Sequence, residues 1–470
     1  AALSNDVLLS RLPIIVILGA TGTGKSKLGL QIAKKFNGEI ISADSMQVYK
    51  GLDIVTNKVT EEEQKIAKHH LLDFLNPNQL YTVVDFSDKA LPIVDDLLTR
   101  KVLPVVVGGT NYYIESLLWK ILIKDENPRE GLVAEKNEGK RMIDVLEEEE
   151  KGGKRMKGEQ DGGGPGNDVC FDVTRLYEKL KKVDPERAAE LHPNNVRKVI
   201  RSLEVFQSTG RKHSELLKEQ RAAGGSPFGG PLRYTDGIIF WVQADQHVLN
   251  KRLDARVDEM ISAGLIEELL DFHKRYNILR MKENKPADYT KGIFQSIGFK
   301  EFHEYLMADE KYRESEEGIK LFKKCVEEMK LATRRYSKRQ IKWIRNRVLK
   351  RPIDQSLPVY GLDASNVTLW DEKVYQPAIK VLECYLSSQD CDIKPLPIES
   401  IEISNNAHTG HHFCDVCERT FVGNLQWQAH LRSRTHERVV IKKDREMRMK
   451  QEEKKVDDVL TKTEDQITKS

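Results

Sequence analysis

Five consecutive apolar residues, Ile14 to Leu18, break off at Gly19. A short unbroken apolar run ended by glycine predicts a strand buried on both faces, as in a parallel sheet. Residues 27–36 then space their apolar positions at three and four, the period of a helix. The same two signals recur along the chain. Glu39–Ala43 and Val102–Val107 predict further strands, Gly237–Ala244 predicts one placed to rejoin the first sheet, and Pro358–Gly361 a last one. Helical periodicity returns over 172–220, 246–276 and 316–350, with Gly264 as a break or C-cap. Strands alternating with helices predict the α/β class, a parallel-sheet core with helices on both faces.

The pattern also divides the chain. Residues 1–12 carry one Arg and one Asp and are expected to be the remnant of a leader. Residues 13–118 and 237–387 are expected to be two parts of one core, with a mainly helical insertion over 119–236. Within it, 125–168 holds Glu147–Glu150, Gly152-Gly153 and Gly162-Gly163-Gly164-Pro165-Gly166. Such a stretch buries too little apolar surface to fold alone, so disorder is expected there. A linker over 388–410, a small module over 411–437 and a charged tail over 438–470 complete the expected organisation. Nothing approaches 18 consecutive apolar residues, so no membrane span is expected. Six scattered cysteines argue against a disulfide scaffold and for a reducing compartment. The net charge is only +3, so any polyanion partner must be announced by local clustering.

Chemistry first appears at Gly19-Ala20-Thr21-Gly22-Thr23-Gly24-Lys25-Ser26. This is G-x-x-x-x-G-K-S between a strand and a helix, the P-loop arrangement that cradles phosphates. Backbone N–H groups of Thr21 to Gly24 turn toward an anion, and the new helix adds its positive end. Lys25 is placed for diphosphate oxygens and Ser26 for Mg²⁺. Asp44, after the second strand, is either a metal-binding or proton-accepting carboxylate or a helix N-cap. Gly108-Gly109-Thr110-Asn111 follows the third strand, where an ordinary ATPase carries an acidic residue. Its absence argues against nucleotide hydrolysis and for another diphosphate chemistry. Thr110 supplies a hydroxyl near the diphosphate or serves as a turn residue.

Two more constellations lie toward the C-terminus. Lys330 to Arg351 holds ten Lys/Arg and no acid. Arg335, Lys338, Arg339, Lys342 and Arg345 share one helix face, with Tyr336 and Trp343 interleaved. Such a face tracks a phosphate backbone, and aromatic rings stack on unpaired bases; the alternative is a solvated face with a buried aromatic edge. Finally, Cys414-x2-Cys417-x12-His430-x5-His436 has the spacing of a C2H2 zinc finger, with Phe421 and Trp427 as its small core. Nearby His408, His411 and His412 read as bystanders.

Together these motifs resemble one family, the tRNA dimethylallyltransferases (tRNA isopentenyltransferases) in their eukaryotic form. Further matches are Thr56-Asn57-Lys58, His69-His70-Leu71-Leu72-Asp73, His192-Pro193-Asn194-Asn195, Arg197-Lys198-Val199-Ile200-Arg201, Ser296-Ile297-Gly298 and Arg339-Gln340-Ile341-Lys342-Trp343. The resemblance covers about 13–387 plus the finger, while 125–168 matches no motif of the family. It implies transfer of a dimethylallyl group from its diphosphate to the exocyclic amine of the adenosine 3′ of the tRNA anticodon. It implies Asp44 as the base, with Thr110 and Arg256 holding the diphosphate and Arg252 the alternative to Arg256. Ser45, Met46 and Gln47, with Arg197, Lys198 and Arg201, match segments that meet tRNA. The implied partners are the tRNA anticodon stem-loop and dimethylallyl diphosphate, and the implied cofactors are Mg²⁺ with the diphosphate and structural Zn²⁺. A monomer in the cytosol, and in the mitochondrion as well, is expected, with the nucleus left open. The competing reading is an adenylate isopentenyltransferase or P-loop kinase acting on free nucleotides, which needs neither the basic helix nor the finger.

Overall fold

Successive residues of a strand point to opposite faces, so the apolar run Ile14 to Leu18 must feed two cores. In the computed structural model it does so. Residues 12–120, 173–222, 229–276, 289, 292–398 and 410–449 are described. Ile14, Val16 and Leu18 join one core, and Ile15 and Ile17 join another.

The first elements are β1 (Ile14–Gly19), α1 (Lys25–Phe36), β2 (Glu39–Ser42), α2 (Glu61–Ile66) and β3 (His69–His70). After them come α3 (Val83–Thr99), β4 (Pro104–Val107) and α4 (Asn111–Leu118). The helical insertion supplies α5 (Val173–Val183), α6 (Pro185–Glu190), α7 (Val196–Thr209) and α8 (His213–Ala222). The chain returns through β5 (Gly237–Gln243), α9 (Gln246–Ser262) and α10 (Leu265–Tyr276). Short α11 (His303–Met307) and α12 (Glu310–Arg313) precede the long α13 (Glu316–Arg347), then β6 (Val359–Asp363) and α14 (Gln376–Leu386). Gly264 sits between α9 and α10 at φ +96°, a left-handed position suited to glycine, as the break predicted there requires.

The sheet runs β3-β2-β4-β1-β5-β6, and every pairing is parallel. Ile15 pairs with Val105 on one side and Ile238 on the other, so β1 is central. Its carboxyl end opens where the chain crosses from one half of the sheet to the other, the position at which open α/β sheets bind ligands. One face packs under α3, α4 and the C-terminal turns of α13, burying Phe86, Val94, Leu117 and Ile344. The opposite face packs under α1 and α14, burying Leu28, Ile32, Ile379 and Leu382. Helices therefore cover both faces, as the unbroken apolar strands predict.

The sequence pattern does not predict the edge strand β3. Two residues carry no periodicity, and only pairing of Ile40 and Ile41 with His69 and His70 makes them a strand. The last strand also starts and ends later than the apolar run suggests.

The chain forms two compact units, one from residues up to 120 and from 220 to 398, the other from 173–219 and 410–449. Trp119 bridges Leu232 within the first unit, marking where the insertion leaves and returns. Of the stretch read as a linker, 388–398 packs on the first unit, where Leu396 N–H donates to Val359 O at 2.7 Å. Residues 1–11 of the predicted leader over 1–12, the Gly- and Glu-rich 125–168, and residues 399–409 and 450–470 lie outside the described residues.

The second unit joins the insertion to the finger. Leu176, Leu180, Leu191 and Leu203 form its core. The finger consists of β7 (His411–Cys414), β8 (Arg419–Val422) and α15 (Asn424–Leu431). Gly410 N–H donates to Ala189 O at 3.3 Å, the His192 ring meets Thr420 O at 3.0 Å, and the Tyr177 hydroxyl meets His411 Nε2 at 3.2 Å. His411, read as a bystander of the metal, is thus a docking residue. Residues 434–449 continue as an exposed helix tied back by Lys443 to Glu418 at 2.6 Å. No helix of the described residues is long and apolar enough to cross a membrane.

Candidate active site and metal centre

The glycine loop is built so that its backbone can face an anion. Gly24 has φ +92°, and a Cβ there would meet the Trp370 ring at 2.6 Å, so only glycine fits. The Thr23 hydroxyl and the Lys25 ammonium both donate to Ala20 O, at 2.9 and 2.8 Å. Helix α1 begins with no acidic residue in its first turn and no side-chain cap, leaving its N–H groups open to a ligand. Ser26 is exposed at the second helical position.

Burial of the Lys25 ammonium pulls its pKa down to about 8; Asp44 opposes the fall and Arg256 adds to it. Arg256, on α9, donates to Thr21 Oγ1 at 3.2 Å and is held below its usual pKa by burial. Arg252, one turn earlier, instead donates to Ala364 O and Ser365 O at 2.7 and 2.6 Å, fastening the end of β6. Of the two arginines, only Arg256 is therefore seen to reach the loop.

Asp44 follows β2, and its Oδ1 accepts Met46 N–H at 2.9 Å, which fixes the carboxylate. The β4 turn is tied to the same place. Thr110 N–H donates to Ala43 O at 3.1 Å, and Thr110 Oγ1 accepts Ser45 N–H at 2.9 Å while lying 3.1 Å from the Ser45 hydroxyl. Thr110 thus pins the Asp44 turn, a role the sequence did not suggest. Met46 is partly buried against the core of α9 and α10. Gln47 donates to Thr56 O and Asn57 O at 3.2 and 3.0 Å. Lys58 completes this loop, donating to Tyr49 O and Gly51 O at 2.9 Å each and pairing with Asp53 and Asp73 at 2.6 Å. The match at Thr56-Asn57-Lys58 is therefore a loop staple.

On α13, Arg335, Lys338, Arg339, Lys342 and Arg345 are all exposed. Their shared face is the one that helical spacing predicts. Tyr336 and Trp343 lie roughly 100° round the helix and turn inward. The Tyr336 hydroxyl reaches Gly109 O at 3.4 Å, and the Trp343 ring packs edge-on to Tyr112 at 6.1 Å. The residue missed is Gln340. Its side chain is buried, accepting Thr21 N–H and donating to Gly109 O, each at 2.9 Å. A polar residue at a core-facing position of an amphipathic helix was the available signal.

Arg197 and Lys198 are exposed on α7 of the second unit, and Arg201 is partly buried with Glu204 at 3.6 Å.

In the finger, one ligand atom each from Cys414, Cys417, His430 and His436 falls within 4.8 Å of the others. His436 Nδ1 lies 3.7 Å from Cys414 Sγ and 3.3 Å from Cys417 Sγ, and His430 Nε2 is buried without a hydrogen-bond partner. Two thiolates and two imidazoles converging so closely fit a tetrahedral Zn²⁺. Phe421 stacks on His430 at 4.0 Å and lies 6.0 Å from Trp427, the small core predicted.

A parallel sheet with a phosphate loop and a carboxylate at the carboxyl ends of its strands defines the class: an α/β P-loop protein carrying a C2H2 finger. The model of the IPP transferase family matches residues 47–347, and that of isopentenyl transferases matches 12–74. A model of C2H2-type zinc fingers matches 412–436. A tRNA dimethylallyltransferase of Mus musculus is 47% identical over 90% of this chain and 85% of its own length. One of Schizosaccharomyces pombe is 33% identical over 93% of this chain and 98% of its own. A crystal structure of a eukaryotic dimethylallyltransferase acting on tRNA aligns with a TM-score of 0.70 at 29% identity, over 94% of this chain and all of that one. The chain belongs to the IPP transferase family.

Proposed function

We propose that the protein transfers a dimethylallyl group from dimethylallyl diphosphate to the exocyclic amine of the adenosine 3′ of the tRNA anticodon. The amine nitrogen bonds to the allylic carbon, the carbon–oxygen bond to diphosphate breaks, and the surplus proton passes to Asp44. The observation that carries this reading is the convergence of Lys25, Arg256 and Asp44 at the carboxyl edge of the parallel sheet, beneath a helix with five outward cations. Backbone N–H groups of Gly22 and Gly24, with Lys25 and Arg256, hold the diphosphate and take up the charge that grows on it, the Thr21 and Thr23 N–H groups being engaged by Gln340 and Ala20 O. An adenine amine is a weak nucleophile, so a fixed carboxylate matters. Ser26, exposed beside the loop, would hold Mg²⁺ together with the diphosphate, and that ion would neutralise leaving-group charge. The target base must leave the anticodon stack to reach the strand ends. In this reading Thr110, Ser45, Met46 and Gln47 shape the floor under that base. The exposed face of α13 and Arg197, Lys198 and Arg201 contact tRNA phosphates.

The decisive experiment is nucleoside mass spectrometry of unmodified tRNA incubated with protein and dimethylallyl diphosphate. The expected product is dimethylallylated adenosine, with equimolar diphosphate. Modification of adenosine monophosphate in preference to tRNA would establish the free-nucleotide alternative.

Two further outcomes follow from the site. Diphosphate carries charge that raises the pKa of Lys25 on binding, so binding takes up a proton above pH 8. Affinity for inorganic pyrophosphate should therefore hold below pH 8 and fall as pH rises through it. Calorimetry in buffers of different ionisation enthalpy measures this, with Lys25→Met as the baseline for the ligand's own titration. Identical pH profiles for the two proteins would remove Lys25 from the diphosphate site. For the RNA face, each phosphate that a cation neutralises releases condensed counterions. Replacing Arg335, Lys338 and Lys342 with alanine should flatten the log–log salt dependence of tRNA affinity, by about 0.7–0.9 for every phosphate no longer neutralised. An unchanged slope would make this a merely solvated face.

A further inference from the structure

Gln340 brings α13 into the catalytic floor. Its side chain is only 3% exposed. Its Oε1 accepts Thr21 N–H and its Nε2 donates to Gly109 O, each at 2.9 Å. These partners belong to different parts of the site: Thr21 to the phosphate loop, Gly109 to the turn that Thr110 pins against Asp44. The fit at the turn is close, because a Cβ on Gly109 would meet Gln340 Nε2 at 2.6 Å. The same helix also grips α9 on both sides of Arg256: Arg334 pairs with Asp254, and Lys330 with Asp258 at 2.8 Å.

We propose that Gln340 is a positioning residue for prenyl transfer: its buried amide fixes the phosphate loop and the Gly108-Gly109 turn at one separation, and so the leaving group against the base. This rests on the reading of the loop as the diphosphate site and of Asp44 as the base. A primary amide suits the task because it offers an acceptor and a donor in one rigid, uncharged plane. A carboxylate there would lack the donor for Gly109 O and set a negative charge beside the diphosphate. An ammonium would lack the acceptor for Thr21 N–H. The backbone groups it satisfies belong to the phosphate loop and to the turn beside Asp44. Loss of the amide frees the loop and turn to drift, and a displacement on the order of 1 Å between reacting groups costs about 10²-fold in rate.

The test is a set of single-turnover rates with saturating tRNA and dimethylallyl diphosphate, normalised to folded protein by thermal melting. Gln340→Met keeps length and volume without the hydrogen bonds. Gln340→Asn keeps an amide one methylene too short to reach both partners. Both should react about 10–100-fold more slowly than wild type. Titrated tRNA affinity should be unchanged, so the loss appears in kcat and not in the KM for tRNA. In the Q340M/D44N double variant the two losses should fall well short of multiplying, because a misplaced base has less to lose. A wild-type rate in either single variant overturns the proposal, as does full multiplication of the two losses. Equal loss of tRNA affinity and rate also overturns it, since that marks a structural role of α13. If D44N alone keeps the wild-type rate, the assignment of the base fails instead. Gln340 is then judged on inorganic pyrophosphate affinity, which must weaken in Q340M for its hold on Thr21 to stand.

Discussion

Replacing Asp44 with asparagine should lower the single-turnover rate of prenyl transfer by about 10²–10⁴-fold, the usual worth of the general base that we propose it to be. The substitution keeps size, and the remaining amide oxygen can still accept Met46 N–H, so the turn that Thr110 pins should survive. In the proposed mechanism, what it removes is the oxygen that takes the proton as the amine bonds to the allylic carbon. One side effect is expected from the electrostatics. Asp44 supports the charged form of Lys25, so its neutralisation lets the Lys25 pKa fall further. Diphosphate affinity in Asp44→Asn should thus weaken more at pH 8 than at pH 6.5, where a larger share of Lys25 stays charged. Rapid-quench rates at saturating substrates, taken at the lower pH, isolate the chemical step. A rate within about threefold of wild type there would remove Asp44 from proton transfer, given the size of effect a base confers.

Removing zinc from the finger should have the largest effect on structure. A module of 410–449 has too little apolar core to fold without metal, and structural Zn²⁺ in such fingers contributes about 10–16 kcal/mol of apparent binding free energy at neutral pH. The finger and the insertion helices form one compact unit, joined through Gly410, His411 and Thr420 to Ala189, Tyr177 and His192. Chelation should therefore raise amide hydrogen exchange over 173–209 as well as over 410–436, while the sheet core stays protected. Protected insertion helices after complete zinc removal would show that docking contributes little. In the functional reading, the same treatment raises the apparent KM for tRNA and leaves kcat at saturation nearly intact, the signature of lost uniform binding. A large fall in saturated kcat with tRNA binding unchanged would place the finger in the catalytic conformation instead.

Much of this protein was legible because its signals are local. The central strand announces itself by a run of β-branched residues, and the loop after it by glycines that only a tight turn tolerates. The metal site is legible because four ligands at fixed spacing repeat a geometry the metal imposes. The exposed face of α13 follows from helical period alone, since 3.6 residues per turn put Arg335, Lys338, Arg339, Lys342 and Arg345 together whatever the helix packs on.

The tertiary structure decided what depends on partners distant in sequence. His69-His70 is a strand only because β2 lies beside it. Both arginines of α9 were candidates by spacing, and packing alone sends Arg256 to Thr21 and Arg252 to the end of β6. Tyr336 and Trp343 share a window with the cations, but their positions on the flank of α13 turn them inward. Gln340 lies 319 residues from Thr21 and 231 from Gly109, so no periodicity could join the three. A sequence specifies which faces are apolar and which residues can bend or bind. Which buried donor meets which acceptor is fixed only when the helices and strand ends close on one another, because an unpaired polar group is excluded from the interior and must find its partner there.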